Sequence, residues 1–174
     1  MQTNQWAIGA LVAVILVGGG FYLWSSGFSG WGEMKKYQLS SQGISFSYPN
    51  DYELTQERER DVERPWHVIV LAHESTLSAP EGGEGPPVIA VIILDNVGGQ
   101  SLEEWVRTSE FSNFQLSQSG GFASTTVDGA DAIRYQYSGL YETEAIAAVR
   151  GDKIYLFSVG WINENDKIRD DFSA

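Results

Sequence analysis

The chain contains no cysteine. No disulfide can staple the fold, no thiolate can serve as nucleophile or metal ligand, and no lipid can be attached through sulfur. The same absence leaves the redox compartment open. Histidine is nearly as scarce, with only His67 and His73. On one straight strand, six residues apart, they would be separated by about 20 Å and could not share a metal. Basic side chains are also short. Residues 37–174 hold nine Lys/Arg against 22 Asp/Glu, a net charge of −13. Such a surface repels phosphates and anionic lipid headgroups, so nucleic acid is excluded as a partner while basic or divalent-cation partners are permitted. Catalytic motifs are missing too. There is no G-x-S-x-G, P-loop, H-E-x-x-H or EF-hand spacing, so the sequence assigns no catalytic residue, no cofactor and no metal ligand. Asp95, Asp128, Asp131 and Asp152 fall in loops or turns, where turn chemistry explains them without calcium. No internal repeat or extended low-complexity tract is present.

What the chain has in excess is one uncharged run, Trp6–Trp24, WAIGALVAVILVGGGFYLW, nineteen residues long. As a helix it would cross about 28 Å, close to the thickness of a bilayer's hydrocarbon core. Nine of its residues are Ile, Leu, Val or Phe, together favouring insertion by about 4 kcal/mol, and no charged residue opposes them. Trp6 at one end, and Phe21, Tyr22 and Trp24 at the other, match an aromatic belt. A buried core helix is rarely so long and uniformly apolar. A cleaved signal peptide is disfavoured because Met1–Gln5 lacks Lys and Arg and no clear small-x-small site follows. The expected organisation is a short tail at 1–5, a single transmembrane helix at 6–24, a Gly/Ser-rich linker at 25–36 and one globular domain at 37–174. Lys35 and Lys36 lean towards a cytoplasmic domain by the positive-inside rule. A very short N-terminus before an uncleaved apolar segment points the other way, and an extracytoplasmic domain is the expectation.

Within the domain, Ile44, Phe46 and Tyr48 alternate with Ser45 and Ser47, the period of a half-buried strand. Pro49-Asn50-Asp51 turns the chain, and Tyr52–Thr55 is expected to return as a second strand. Glu57–Arg64, ERERDVER, reads as a solvated hairpin tip or a charged edge strand. Trp66–Ala72 and Val88–Leu94 are apolar on both parities, which implies a sheet covered on both faces. Ser78–Pro87, SAPEGGEGPP, is a loop. Ser101-Leu102-Glu103-Glu104 fits a capping box, so a helix is expected over about residues 101–110. Phe122–Val127, Ala130–Ser138, Glu144–Arg150 and Lys153–Ile162 form four strand-like runs. Asp128-Gly129 and Gly151-Asp152 supply two-residue turns between them, predicting an antiparallel meander with its last strand central. Asn163 or Asn165 is placed to cap a final helix with Ile168 and Phe172 facing inward.

Trp66, Trp105 and Trp161 each lie in an apolar run, where core packing is the default. An exposed aromatic patch of Trp66, Tyr135, Tyr137 and Trp161 is the candidate ligand face, for a glycan or peptide of the cell envelope.

GISFSYPNDYEL at 43–54, SLEEWV at 101–106, VDGADAIRYQYSG at 127–139 and AAVRGDKIYLFSVGW at 147–161 occur in an order that resembles the PsbP family. These are the extrinsic proteins of the photosystem II oxygen-evolving complex and their bacterial relatives. The resemblance implies an α+β fold, an antiparallel β-sheet flanked by helices as an α/β/α sandwich, here preceded by one N-terminal transmembrane helix. A Ran-binding nuclear import factor shares that fold. PsbP of photosynthesis is soluble and lumenal, whereas this chain has its own apolar segment. No residue here matches a manganese, calcium or chloride retention position of the family, so none is carried over. The family pattern usually continues past the last helix into a short apolar segment that this sequence lacks. The function expected from all of this is non-enzymatic: a membrane-anchored accessory domain with a protein partner in or near the membrane.

Overall fold

The computed structural model describes residues 15–16, 33–59, 66–77 and 85–173, with the backbone alone at 15–16 and 57–59. Its centre is the expected meander. Strands β7 (Ala123–Val127), β8 (Ala130–Ser138), β9 (Glu142–Arg150) and β10 (Lys153–Trp161) pair in succession, all antiparallel. Asp128 and Gly129, at φ 48° and 75°, make the first turn. Positive φ at both central positions gives the turn whose twist matches that of the strands it joins.

The sheet continues on the other side of β10 through β6 (Ile89–Asp95), β5 (Trp66–His73) and β4 (Tyr52–Glu59), in the order β4-β5-β6-β10-β9-β8-β7. The apolar IYLFSVGW run therefore sits fourth of seven strands, where both faces are covered. One face packs under helix α1 (Leu102–Thr108) and the 3₁₀ turns after it, through Leu156, Ala147, Ile133 and Tyr135 against Trp105, Val106 and Phe114. The helix starts where its capping box does: Glu104 N donates to Ser101 Oγ at 3.2 Å. It stops at Thr108, two residues before the expected end, because the chain tightens into a 3₁₀ turn at Glu110–Ser112.

The opposite face differs from the expected helical layer. It is covered by a hairpin, β2 (Met34–Leu39) with β3 (Ile44–Pro49), and by α2 (Lys167–Ser173). Ile44 is buried there with Ile69, Val91 and Phe157, and Phe46 packs against the same cluster. The 3₁₀ turn Ser40–Gln42 joins β2 to β3 and ends at Gly43 with φ 65°, a conformation that favours glycine. Pro49-Asn50-Asp51 does turn the chain, but Tyr52–Glu59 does not return beside β3. It crosses to the large sheet and pairs with β5. A strand's period reports which side is buried and says nothing about which strand it pairs with. Met34–Lys36, read as linker, already belong to β2.

The start of α2 also departs from the expectation. Neither Asn163 nor Asn165 is the residue preceding the helix. Asp166 precedes it, and its carboxylate accepts from the N–H groups of Ile162 and Asn163, both at 2.9 Å. These bonds hold the Asp166 carboxyl below its ordinary range, the backbone N–H of Asn163 contributing most. Ile168 is buried and Phe172 packs inward, as expected.

Of Trp6–Trp24 the structure describes only Ile15–Leu16, and there the chain is strand rather than the expected helix: a two-residue strand, β1, paired with β3 at Ser45 and Ile44. The transmembrane-helix expectation otherwise lies outside the described residues, as do most of Ser78–Pro87 and residues 60–65 of the charged run. Among the described residues no helix is long and apolar enough to cross a membrane.

Candidate interaction site

Between β3, α2 and the meander runs a groove of about 350 Å³. Phe46 and Tyr48 form one wall, Phe157 and Ile146 the floor, and Thr125 and Val127 the far side. The register explains its lining. Thr125 faces Ala132, Ala132 faces Ala148, and Ala148 faces Tyr155, so these side chains share the face that β3 covers only in part. Arg134 borders the groove, its Nε 3.4 Å from Glu144. A second cavity, of about 460 Å³, lies between the β6–α1 loop and the first turn after α1. Its lining is more hydrophilic, with Asp95, Asn96, Gln100, Thr108 and Glu110 around Trp105.

A polar network closes one end of the groove and fixes α2. Tyr52 is buried on β4, and its hydroxyl donates to Asp171 Oδ2 at 2.7 Å. Lys167, one turn earlier on α2, stands 3.5 Å from the same carboxylate and 3.0 Å from Asp51 Oδ2 at the β3–β4 corner. His73 Nε2 also meets Asp51, at 3.1 Å. Chiefly through the Lys167 hydrogen bond, Asp51 is held below the usual carboxylate range, and the same contact raises Lys167 above the usual amine range. Burial, then the bond to Asp171, pushes the Tyr52 hydroxyl well above its ordinary value.

Ser75 completes a hydroxyl–imidazole–carboxylate chain, with Oγ 2.7 Å from His73 Nδ1. The Ser75 backbone N–H donates to the same Nδ1 at 3.2 Å, which makes His73 the cap of the 3₁₀ turn Glu74–Thr76. With Nδ1 accepting, Nε2–H is left to donate to Asp51. The trio ties a local turn to the network, and capping of the 3₁₀ turn Glu74–Thr76 by His73 accounts for its geometry without chemistry.

In the search of solved structures, the chain matches the solution structure of cyanobacterial PsbP (CyanoP) from Synechocystis sp. PCC 6803, with a TM-score of 0.54. The match covers 86% of this chain and 93% of that one at 16% sequence identity. The fold is PsbP-like. By sequence the chain matches no family model and no curated protein.

The PsbP-like framework separates the aromatic residues proposed from sequence as a ligand face. Tyr135 is buried under the α1 layer and donates to the Ser112 carbonyl at 2.7 Å. Tyr137 and half-buried Trp66 pack against that same cluster, Trp66 with its ring 5.8 Å from Phe111. Trp161 is buried on the opposite face beneath α2, with the Arg169 guanidinium 4.2 Å above its ring. The four do not share one open surface. His67 and His73 do share β5 but have separate partners, Gln42 for one and Asp51 with Ser75 for the other. Among the described residues no three of His, Cys, Asp and Glu cluster in metal-binding range. Sequence reasoning missed the Asp51–Lys167–Asp171–Tyr52 network and the groove beside it. The one available signal was the helical spacing of Lys167 and Asp171.

Proposed function

We propose that this protein is a membrane-anchored, non-enzymatic accessory domain that works by contact with a protein partner in or near the membrane, with its globular part outside the cytoplasm. The observation that carries the reading is the likeness to cyanobacterial PsbP over nearly the whole domain. The uncharged Trp6–Trp24 run supplies the anchor, which requires Ile15–Leu16 to leave their pairing with β3, and the net charge of −13 over residues 37–174 supplies the solubility. With β2 beginning at Met34, the tether is Ser25–Glu33, about 16 Å on average for a flexible chain. That keeps the domain close to the membrane surface. The polar network fits the reading as well, because each of its groups serves to hold α2 and the β3–β4 corner in place. A glycan-binding module has less support, since its aromatic residues are divided between two covered faces.

Carbonate extraction of native membranes followed by crosslinking and pull-down tests the proposal. The full chain should stay with the membrane and capture a protein neighbour, and removal of residues 1–24 should abolish both. An untrimmed chain released by carbonate overturns the anchor. A neighbour captured equally well without residues 1–24 overturns the role of the tether.

A further inference from the structure

The groove borders one edge of the large sheet, and the two edges of that sheet are protected differently. At one edge, β4 carries Glu53, Glu57, Arg58 and Glu59. At the other, β7 reads Ala-Ser-Thr-Thr-Val, with no charge and no proline. Sheet edges are ordinarily guarded by charge, proline or a covering element, because unpaired N–H and C=O groups invite another strand. Among the described residues, β7 pairs only with β8.

The register shows which of its backbone groups are on offer. Val127 and Ala130 flank the two-residue turn, so they form a hydrogen-bonded pair, and such pairs alternate along an antiparallel ladder. Val127, Thr125 and Ala123 therefore bond to β8, while Ser124 and Thr126 direct their N–H and C=O groups outward. On the groove side of the strand, Thr125 and Val127 line the apolar cavity.

We propose that β7 is a docking edge on which an extended, basic segment of a partner protein adds as an eighth strand, with alternate apolar side chains entering the groove. The inference rests on the interaction-domain reading and names its surface. Main-chain pairing with Ser124 and Thr126 supplies affinity and the groove supplies selectivity. Charge selects a basic partner. The domain is strongly acidic, exposed Asp131 stands opposite Thr126, and Arg134 already has Glu144 as its counter-ion. An acidic segment would meet repulsion.

The test uses the full chain in non-ionic detergent and a fluorescein-labelled peptide of alternating lysine and valine, KVKVKVKV. Controls are EVEVEVEV and a Lys–Val peptide N-methylated on alternate amides. Binding by anisotropy is expected for the Lys–Val peptide, with slowed amide exchange at Ser124 and Thr126. Neither control should bind. Thr126→Pro removes an outward N–H that β8 does not use, so it should weaken binding about tenfold while leaving the thermal transition in place. A second variant, Thr126→Lys, guards the edge without altering the backbone and should weaken binding similarly. Absence of Lys–Val binding overturns the proposal, as does binding that survives N-methylation and both variants. Concentration-dependent dimerisation lost in Thr126→Pro also overturns it, since the edge then serves a second copy. Capture of the same membrane neighbour by wild type and Thr126→Pro leaves the accessory-domain reading standing and removes β7 from it.

Discussion

The hydroxyl of Tyr52 ties α2 to β4 through Asp171, and Tyr52→Phe removes that bond alone. Tyr52 is 1% exposed, and the Asp171 side chain it serves is 4% exposed. Water cannot replace the lost donor without opening the core. A hydrogen bond to a charged group contributes about 1.5–3 kcal/mol, and Lys167, at 3.5 Å from the same oxygen, compensates only in part, so a loss of about 2 kcal/mol is expected. With a urea m-value of about 1.5 kcal/mol/M, the unfolding midpoint should fall by about 1.3 M. The phenylalanine ring keeps the apolar contacts with Leu71 and Val159, so packing contributes little to the change. The pH dependence separates this account from a general loosening. The folded-state pKa of Tyr52 is raised above its ordinary value of 10.0. Its contribution is therefore complete below pH 10 and is lost as pH rises, because the unfolded chain ionises first. Tyr52→Phe should remove part of the alkaline loss of stability, with other parts belonging to Tyr37, Tyr135 and Tyr155, whose pKa values are also raised by burial, and to Lys167, whose pKa is raised chiefly by Asp51. Urea titrations followed by tryptophan fluorescence between pH 6 and pH 11 provide the measurement. A midpoint shift below about 0.3 M with an unchanged alkaline limb would refute the reasoning, since a buried charge-assisted bond cannot cost so little.

Substitutions at two further positions probe the framework on either face of the large sheet. Asp51 sits below its ordinary value of 3.8, chiefly through Lys167. Its contribution is present above that pH and lost as pH falls through the lower folded value, so Asp51→Asn should flatten the acid limb of the stability curve. Asp51 is 43% exposed, which limits the effect at neutral pH to about 0.5 kcal/mol after solvent screening; thermal melts between pH 2 and pH 7 measure both. Ser101→Ala removes the α1 cap and should cost about 1 kcal/mol by urea titration, whereas Ser101→Asp should recover most of it.

The parts of the fold that were legible are those specified over short distances. Asp128-Gly129 can close a two-residue turn because both residues accept positive φ, and the strands on either side inherit their register from it. Lys153–Trp161 can be placed at the centre because only a strand covered on both faces tolerates Ile154, Leu156, Tyr155 and Phe157 side by side. The candidate site is of the other kind. Asp51 and Lys167 are 116 residues apart and Tyr52 and Asp171 are 119, and no local period links a turn to a helix at that distance. The same reasoning explains the tryptophans. An apolar run shows that Trp66 and Trp161 are covered, but strand parity has no absolute sign until the strands are paired, and pairing put them on opposite faces. It also explains the misplaced return of Tyr52–Thr55. The period of β3 and the chemistry of its turn are satisfied whether the next strand folds back or crosses over. Tyr52–Glu59 instead forms an eight-residue ladder with β5, from Tyr52–His73 to Glu59–Trp66, while β3 has β2 on one side and β1 on the other. That choice places Tyr52 beneath α2 and makes β4 one edge of the large sheet, with β7, paired among the described residues only with β8, as the other.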